Sequence, residues 1–325
     1  MLVVCLTLLC STGHPPLARP EIISQAGEDG ILHYFGVGSN MLKSKLINRG
    51  LNGSKIDVLD FRPALVRGHR LAFNMRGLPP LEPGMGALEP DDSEGAVCHG
   101  ALCTMTAREY EKVWRSEGGG TATPGYEEII VRAQPYGSQQ TVAAIALRAR
   151  AHVRLASDAC PSPRYMAMLI EGAVQLGLEE PYVNALREQP TQQPGPLLRG
   201  LAVHYLFLVT TLFQLKLQGT VRCLSRLLWL AYVPPTRRFR ERLLGDLATG
   251  LLLLPGAFIG VIIRTWLHLR GRPVPPMLAL IMARPPQQPA PRDDSAQSGS
   301  LGSAASGAPP LATEPSPIRL SSPSA

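Results

Sequence analysis

Ile31-Leu32-His33-Tyr34-Phe35-Gly36-Val37-Gly38-Ser39-Asn40-Met41 passes from a short apolar run through a glycine turn into a segment of helical character. The run at 31–35 predicts a strand, the turn occupies 36–39, and a helix follows from Asn40 to about Leu46, closed by Gly50. Glycines in such a unit let the backbone approach a ligand closely. Free N–H groups at the start of the helix can then hold a carboxylate or a developing oxyanion. A tight connection without a ligand is the plain alternative. Neither nucleotide motif fits, because the third glycine and parallel-strand pattern of a dinucleotide fold are missing, as is the lysine of a phosphate loop.

Downstream of this unit the pattern is dominated by strands. They are predicted at 68–74, where Leu71 and Phe73 share a face, at 96–105, and at 128–134 paired with 141–147 across Pro135-Tyr136-Gly137-Ser138. Thr106 with Glu109 three residues on forms a capping box for a short helix with Tyr110, Val113 and Trp114 on its apolar face. That helix must stop at Gly118-Gly119-Gly120. A further helix starts at Ser162-Pro163, buries Tyr165, Met168, Leu169, Ala173 and Leu176, and ends near Gly177. A short one at 181–188 precedes the Pro/Gln-rich break at 190–196.

Beyond Arg199 the composition changes. Residues 200–215 carry no charged side chain, and 247–263 are equally uncharged between Asp246 and Arg264, so two membrane-contacting segments are expected. Pro255-Gly256 interrupts the second, so interfacial or re-entrant insertion competes with spanning. The net charge of +7 arises largely from Arg222, Arg226, Arg237, Arg238, Arg240 and Arg242. Their place beside apolar runs suits lipid headgroups, and no nucleic-acid-binding motif is evident. Residues 1–10 are apolar but lack the basic start and small-residue cleavage site of a secretion signal. Residues 285–325 are rich in Pro, Ser, Ala and Gly and are expected to be disordered. The six cysteines form no C-x-x-C pair. Cys98 and Cys103 should point to opposite faces of one strand, which fits a reducing compartment and no structural zinc.

Glu117, in Trp114-Arg115-Ser116-Glu117-Gly118, lies just past a helix end on a loop that glycines allow to turn sharply. A solvated loop glutamate is its ordinary reading. No Ser/His/Asp or Cys/His pairing stands out, so a single-carboxylate mechanism is the economical enzymatic option.

Taken together, Tyr34 to Met41, His99-Gly100-Ala101-Leu102 followed by Ser116-Glu117-Gly118, and Pro161-Ser162-Pro163-Arg164-Tyr165 through Gly177-Leu178 resemble the γ-glutamylcyclotransferase-like family. The three blocks stand in the family's order over 31–190. The resemblance implies an α+β fold, a small mixed β-barrel with flanking helices, and here C-terminal hydrophobic helices besides. It implies Glu117 as the acid/base, a γ-glutamyl group held by Tyr34, Phe35, Gly36, Val37, Gly38, Ser39 and Asn40, and Tyr126 closing over it. Tyr126 could equally begin a strand and pack into the barrel. Two positions depart from the family pattern: Val37 stands where many members have Tyr, and 144–147 lacks a Tyr found in the mammalian enzymes.

The expected organisation is an apolar segment and linker at 1–30, the cyclotransferase-like domain at 31–196, membrane-associated helices at 197–284 and a disordered tail at 285–325. The expected activity cyclises a γ-glutamyl amino acid or amine to 5-oxoproline without a cofactor or metal. Action on glutathione itself and a catalytically silent, membrane-tethered binding module are the alternatives. The catalytic domain is expected on the cytoplasmic side of a membrane.

Overall fold

A computed structural model describes residues 20, 23, 26–50, 54–119, 124–214, 218–232 and 239–271, with some side chains of the last three helices left out. The expectations for 1–10, Gly120, Arg237, Arg238 and 285–325 lie outside the described residues, as do those for the side chains of Arg222 and Arg226.

Five strands close a barrel in the order β1 (Ile31–Gly36), β5 (Val97–Thr106), β2 (Asp60–Arg67), β6 (Tyr126–Pro135), β7 (Val142–Ala149). Its pairs are antiparallel except β1 with β7, which run parallel where Tyr34 meets Ile145, so the barrel is mixed. The β6–β7 hairpin turns where Pro135-Tyr136-Gly137-Ser138 predicted. β3 (His69–Leu78) and β4 (Glu82–Pro90) form a separate two-stranded sheet. Core side chains cover both faces of the strands: Leu32, Tyr34 and Ile145 lie on one, Leu102 and Val131 on the other. Cys98 and Cys103 are both buried in β5 as free thiols.

The helices begin where their caps predict. Thr106 accepts a hydrogen bond from the Glu109 N–H at 3.3 Å and starts α2 (Ala107–Ser116), and Ser162 accepts from the Tyr165 N–H at 3.1 Å and starts α3 (Pro163–Leu176). Met166 rather than Met168 takes the fully buried place on α3. α4 (Glu180–Glu188) follows. The helix predicted from Asn40 to Leu46 is broken in two: a 3₁₀ turn, Gly38–Met41, and α1, Lys43–Ile47, separated by Leu42 in an extended conformation. Tertiary packing is the reason. Gly172 of α3 lies so close to Leu42 that a Cβ there would come within 2.8 Å of the Leu42 nitrogen, and this contact fixes the loop against α3.

Three helices complete the described chain: α5 (Pro196–Gln214), α6 (Gln218–Ala231) and α7 (Phe239–Leu269). The first apolar run is largely covered, because Leu198, Ala202, Tyr205, Leu206 and Phe207 form a core with Leu253 of α7, Leu228 of α6 and Leu78 of β3. Trp229 Nε1 donates to the Gly77 carbonyl at 3.1 Å and ties α6 to the same strand. Pro255-Gly256 does not interrupt the second run: α7 continues through both residues. Gly256 serves close packing instead, since a Cβ there would lie 2.4 Å from the Tyr205 ring. α7 is the one helix among the described residues long and apolar enough to cross a membrane, by length and composition.

Candidate active site

The turn after β1 packs against α3, β4 and β5. Gly38 has φ +63°, and a Cβ added to it would lie 2.8 Å from the Tyr165 hydroxyl, so glycine satisfies both the left-handed backbone and the close approach of α3. Asn40 follows and is turned inward, 5% exposed. Its Nδ2 donates to the Tyr34 hydroxyl at 2.8 Å and to Glu117 Oε1 at 3.1 Å.

Glu117 reaches Asn40 from the end of α2. It caps the C-terminus of α2, where its N–H is bonded to the Val113 and Trp114 carbonyls at 3.1 Å, and Gly118 turns the chain away at φ +88°. Glu117 is 6% exposed, so this is not a solvated loop glutamate. A buried carboxylate needs a partner, and Arg49 supplies it through an ion pair between its Nη1 and Glu117 Oε1. Arg49 Nη2 donates to Ser39 Oγ at 2.8 Å, so one guanidinium joins the loop to the glutamate.

Three phenols ring the cluster. Tyr34 lies at its floor. Tyr126 and Tyr165 clasp the Gly86 peptide of β4: the Tyr126 hydroxyl donates to the Gly86 carbonyl at 3.3 Å, and the Gly86 N–H donates to the Tyr165 hydroxyl at 3.0 Å. Burial pushes the Tyr165 phenol up to about 12 and raises those of Tyr34 and Tyr126, and the Glu117 charge adds to the rise at each. All three are therefore neutral hydrogen-bonding groups near pH 7, set around one charged pair.

Of the residues singled out from sequence, Tyr34, Gly38, Ser39, Asn40, Glu117 and Tyr126 come together here. Phe35 turns to the other face of β1 and is packed in the core at 1% exposure, Gly36 lies under Asn40, and Val37 packs at the core edge. Sequence reasoning passed over Arg49 and gave Tyr165 and Gly86 no place in the site. Arg49 is the one arginine between the glycine turn and β2, the single sequence signal that pointed to it. Two buried polar atoms of the cluster, Asn40 Oδ1 and Arg49 Nε, have no partner among the described residues. Among those residues no group of three His, Cys, Asp or Glu side chains is arranged to hold a metal ion.

A carboxylate, a guanidinium and an amide thus converge beside a closed mixed barrel, an arrangement that can pair with a small charged molecule and exchange a proton with it. No family model matches the chain. A γ-glutamyl cyclotransferase gliK of Claviceps purpurea is 35% identical over 144 residues, 43% of this chain and 64% of that protein. Its namesake in Aspergillus fumigatus is 27% identical over 201 residues, 55% and 70% of the two chains. A solved structure named γ-glutamyl cyclotransferase is 18% identical, with a TM-score of 0.42 over 50% of this chain and 90% of its own. The chain thus spans somewhat under two thirds of the first relative's length. By sequence it is similar to proteins named γ-glutamyl cyclotransferase.

Proposed function

We propose that this protein cyclises the γ-glutamyl group of a γ-glutamyl amino acid or amine to 5-oxoproline and releases the amino acid or amine. The observation that carries the reading is the meeting of Asn40 with Glu117, 77 residues apart in sequence, in one buried hydrogen bond at 3.1 Å. The names of the relatives support the same activity.

Glu117 takes a proton from the substrate's α-ammonium, and the freed amine nitrogen attacks the γ-carbonyl carbon. The new C–N bond closes the five-membered ring. Glu117 then gives its proton to the nitrogen of the leaving amine as the old C–N bond breaks, and the ring nitrogen loses its second extra proton to the released amine through water, so one carboxylate serves as base and then acid. Ser39 and Asn40 hold the γ-glutamyl group, and Tyr126 covers it from β6.

Mass-spectrometric screening of γ-glutamyl dipeptides, γ-glutamyl amines and glutathione for 5-oxoproline tests the activity. On the best substrate, Glu117→Gln should lower kcat by about 10² to 10⁴-fold with little change in KM, because glutamine keeps the size and hydrogen bonds but cannot carry the proton. Wild-type kcat in that variant sinks the catalytic assignment, and no product from any compound favours the silent binding module.

The reading extends to the C-terminal helices. Residues 31–196 form the catalytic domain, and 197–284 tether it to a membrane through α7, whose Leu251, Phe258, Ile262 and Trp266 are exposed. The uncharged interval 247–263 rises about 26 Å, close to the roughly 30 Å of a bilayer's hydrocarbon. Arg240 and Arg242 at its start hold that end, with the domain, on the cytoplasmic side.

A further inference from the structure

Arg49 has no part in the reaction set out above, yet it is the ion-pair partner of Glu117. One terminal nitrogen of its guanidinium is on the carboxylate, the other is on Ser39 Oγ at 2.8 Å, and Nε is buried with no partner among the described residues. We propose that Arg49 receives the α-carboxylate of the γ-glutamyl group, which displaces Glu117 from the guanidinium as the substrate binds. The inference rests on the γ-glutamyl reading and names how that group is told from its analogues.

A γ-glutamyl group carries a carboxylate and an ammonium on one carbon. Enclosing both requires a partner for each, since an unpaired charge out of water is expensive. A guanidinium offers a planar fork of donors that matches a carboxylate with two parallel hydrogen bonds, and Arg49 presents that fork beside the loop. The neighbouring cation Arg164 is committed to Glu82 at 3.0 Å. Lys45 lies in the same positive field: burial, followed by the charges of Arg49 and Arg164, holds its ammonium below the usual range.

The exchange of partners has a consequence for the chemistry. When the substrate carboxylate occupies Arg49, Glu117 Oε1 keeps its bond from Asn40 and is left facing the ammonium on the adjacent carbon. Asn40 Oδ1, buried without a donor, is placed to accept from that ammonium as well. The ion pair of the free protein is thus a resting arrangement, and the substrate carboxylate is what opens it. A compound without that carboxylate leaves the carboxylate–guanidinium pair closed.

The test compares a γ-glutamyl amine with the 4-aminobutanoyl amide of the same amine, which lacks only the α-carboxylate and closes to 2-pyrrolidinone by the same bond changes. The full-length wild type should prefer the γ-glutamyl compound in kcat/KM by about 10²-fold or more, the range expected for a buried charge pair that loses one partner. Arg49→Met should erase the preference by losing activity on the γ-glutamyl compound, with no matching loss on the 4-aminobutanoyl compound, for which the variant frees Glu117 from the guanidinium. Arg49→Lys, with the charge but not the fork, should fall between. An equal loss on both compounds in a variant that melts like wild type overturns the proposal, because it would mean that Arg49 only props Glu117. Calorimetric binding of 5-oxoproline against 2-pyrrolidinone supplies a readout independent of turnover, and Arg49→Lys serves it if the methionine variant does not fold. If wild type turns over no γ-glutamyl compound, the functional reading fails and the binding comparison alone judges Arg49: a tenfold or greater loss of 5-oxoproline binding in the variant upholds the carboxylate site. Equal or absent binding overturns it.

Discussion

Gly38 is the residue on which the loop's shape depends. Alanine there would be held in the left-handed region, a strain of about 1 to 3 kcal/mol, with its Cβ 2.8 Å from the Tyr165 hydroxyl. Gly38→Ala should therefore lower kcat/KM on the best γ-glutamyl substrate by about tenfold or more, and Tyr165→Phe in the same chain should restore part of the loss by removing the close oxygen but not the strain. Unchanged kinetics in Gly38→Ala would place the substrate elsewhere. At this scale Gly38, Ser39, Asn40 and Glu117 were named from the sequence through the family resemblance. Arg49 was not. In sequence it is a basic residue beside a glycine at a helix end, and only folding brings its guanidinium to Glu117, 68 positions on.

Among the elements, β5 and α4 are held by a histidine whose ionisation the structure suppresses. His99 stacks on Tyr182 at 4.7 Å between ring centroids, and its Nδ1 shares a hydrogen bond of 2.5 Å with the Tyr136 hydroxyl. Burial holds the imidazolium below its ordinary 6.5, and the charge of Glu179 opposes this only in part. The folded protein therefore binds its proton less readily than the unfolded chain, so this contribution to stability is complete above 6.5 and is lost as pH falls through the lowered value. The thermal midpoint should drop between about pH 7 and pH 5, and His99→Phe, which keeps a ring but cannot titrate, should flatten that slope even if it lowers the midpoint throughout. An unchanged slope would assign the effect to other groups. The caps at Thr106 and Ser162 and the β6–β7 hairpin could be read in advance, because capping and turn chemistry are local. β2 and β4 escaped notice: Pro63, Pro83, Gly84 and Gly86 interrupt their alternation, and only pairing with β5 and β3 reveals them as strands.

For the whole molecule, the exposed apolar side of α7 makes attachment the measurable property. Full-length protein in a detergent-free lysate should pellet with membranes on ultracentrifugation and be released by detergent, and replacing Leu251, Phe258 and Ile262 together by Asn should shift it to the supernatant. Wild type that stays in the supernatant would assign α7 to packing within a soluble protein. The sequence by itself determined five of the seven strands and the helix starts at Thr106 and Ser162, and the change of character beyond Arg199, since each is written in local spacing, capping residues and apolar periodicity. Only the tertiary structure decided that the two apolar runs pack on each other, that α7 passes unbroken through Pro255-Gly256, and that Arg49 joins the loop to the glutamate. These depend on side chains that meet across long separations, where a close contact such as Gly256 against Tyr205 or a charge pair such as Arg49 with Glu117 has no trace in the spacing of either partner.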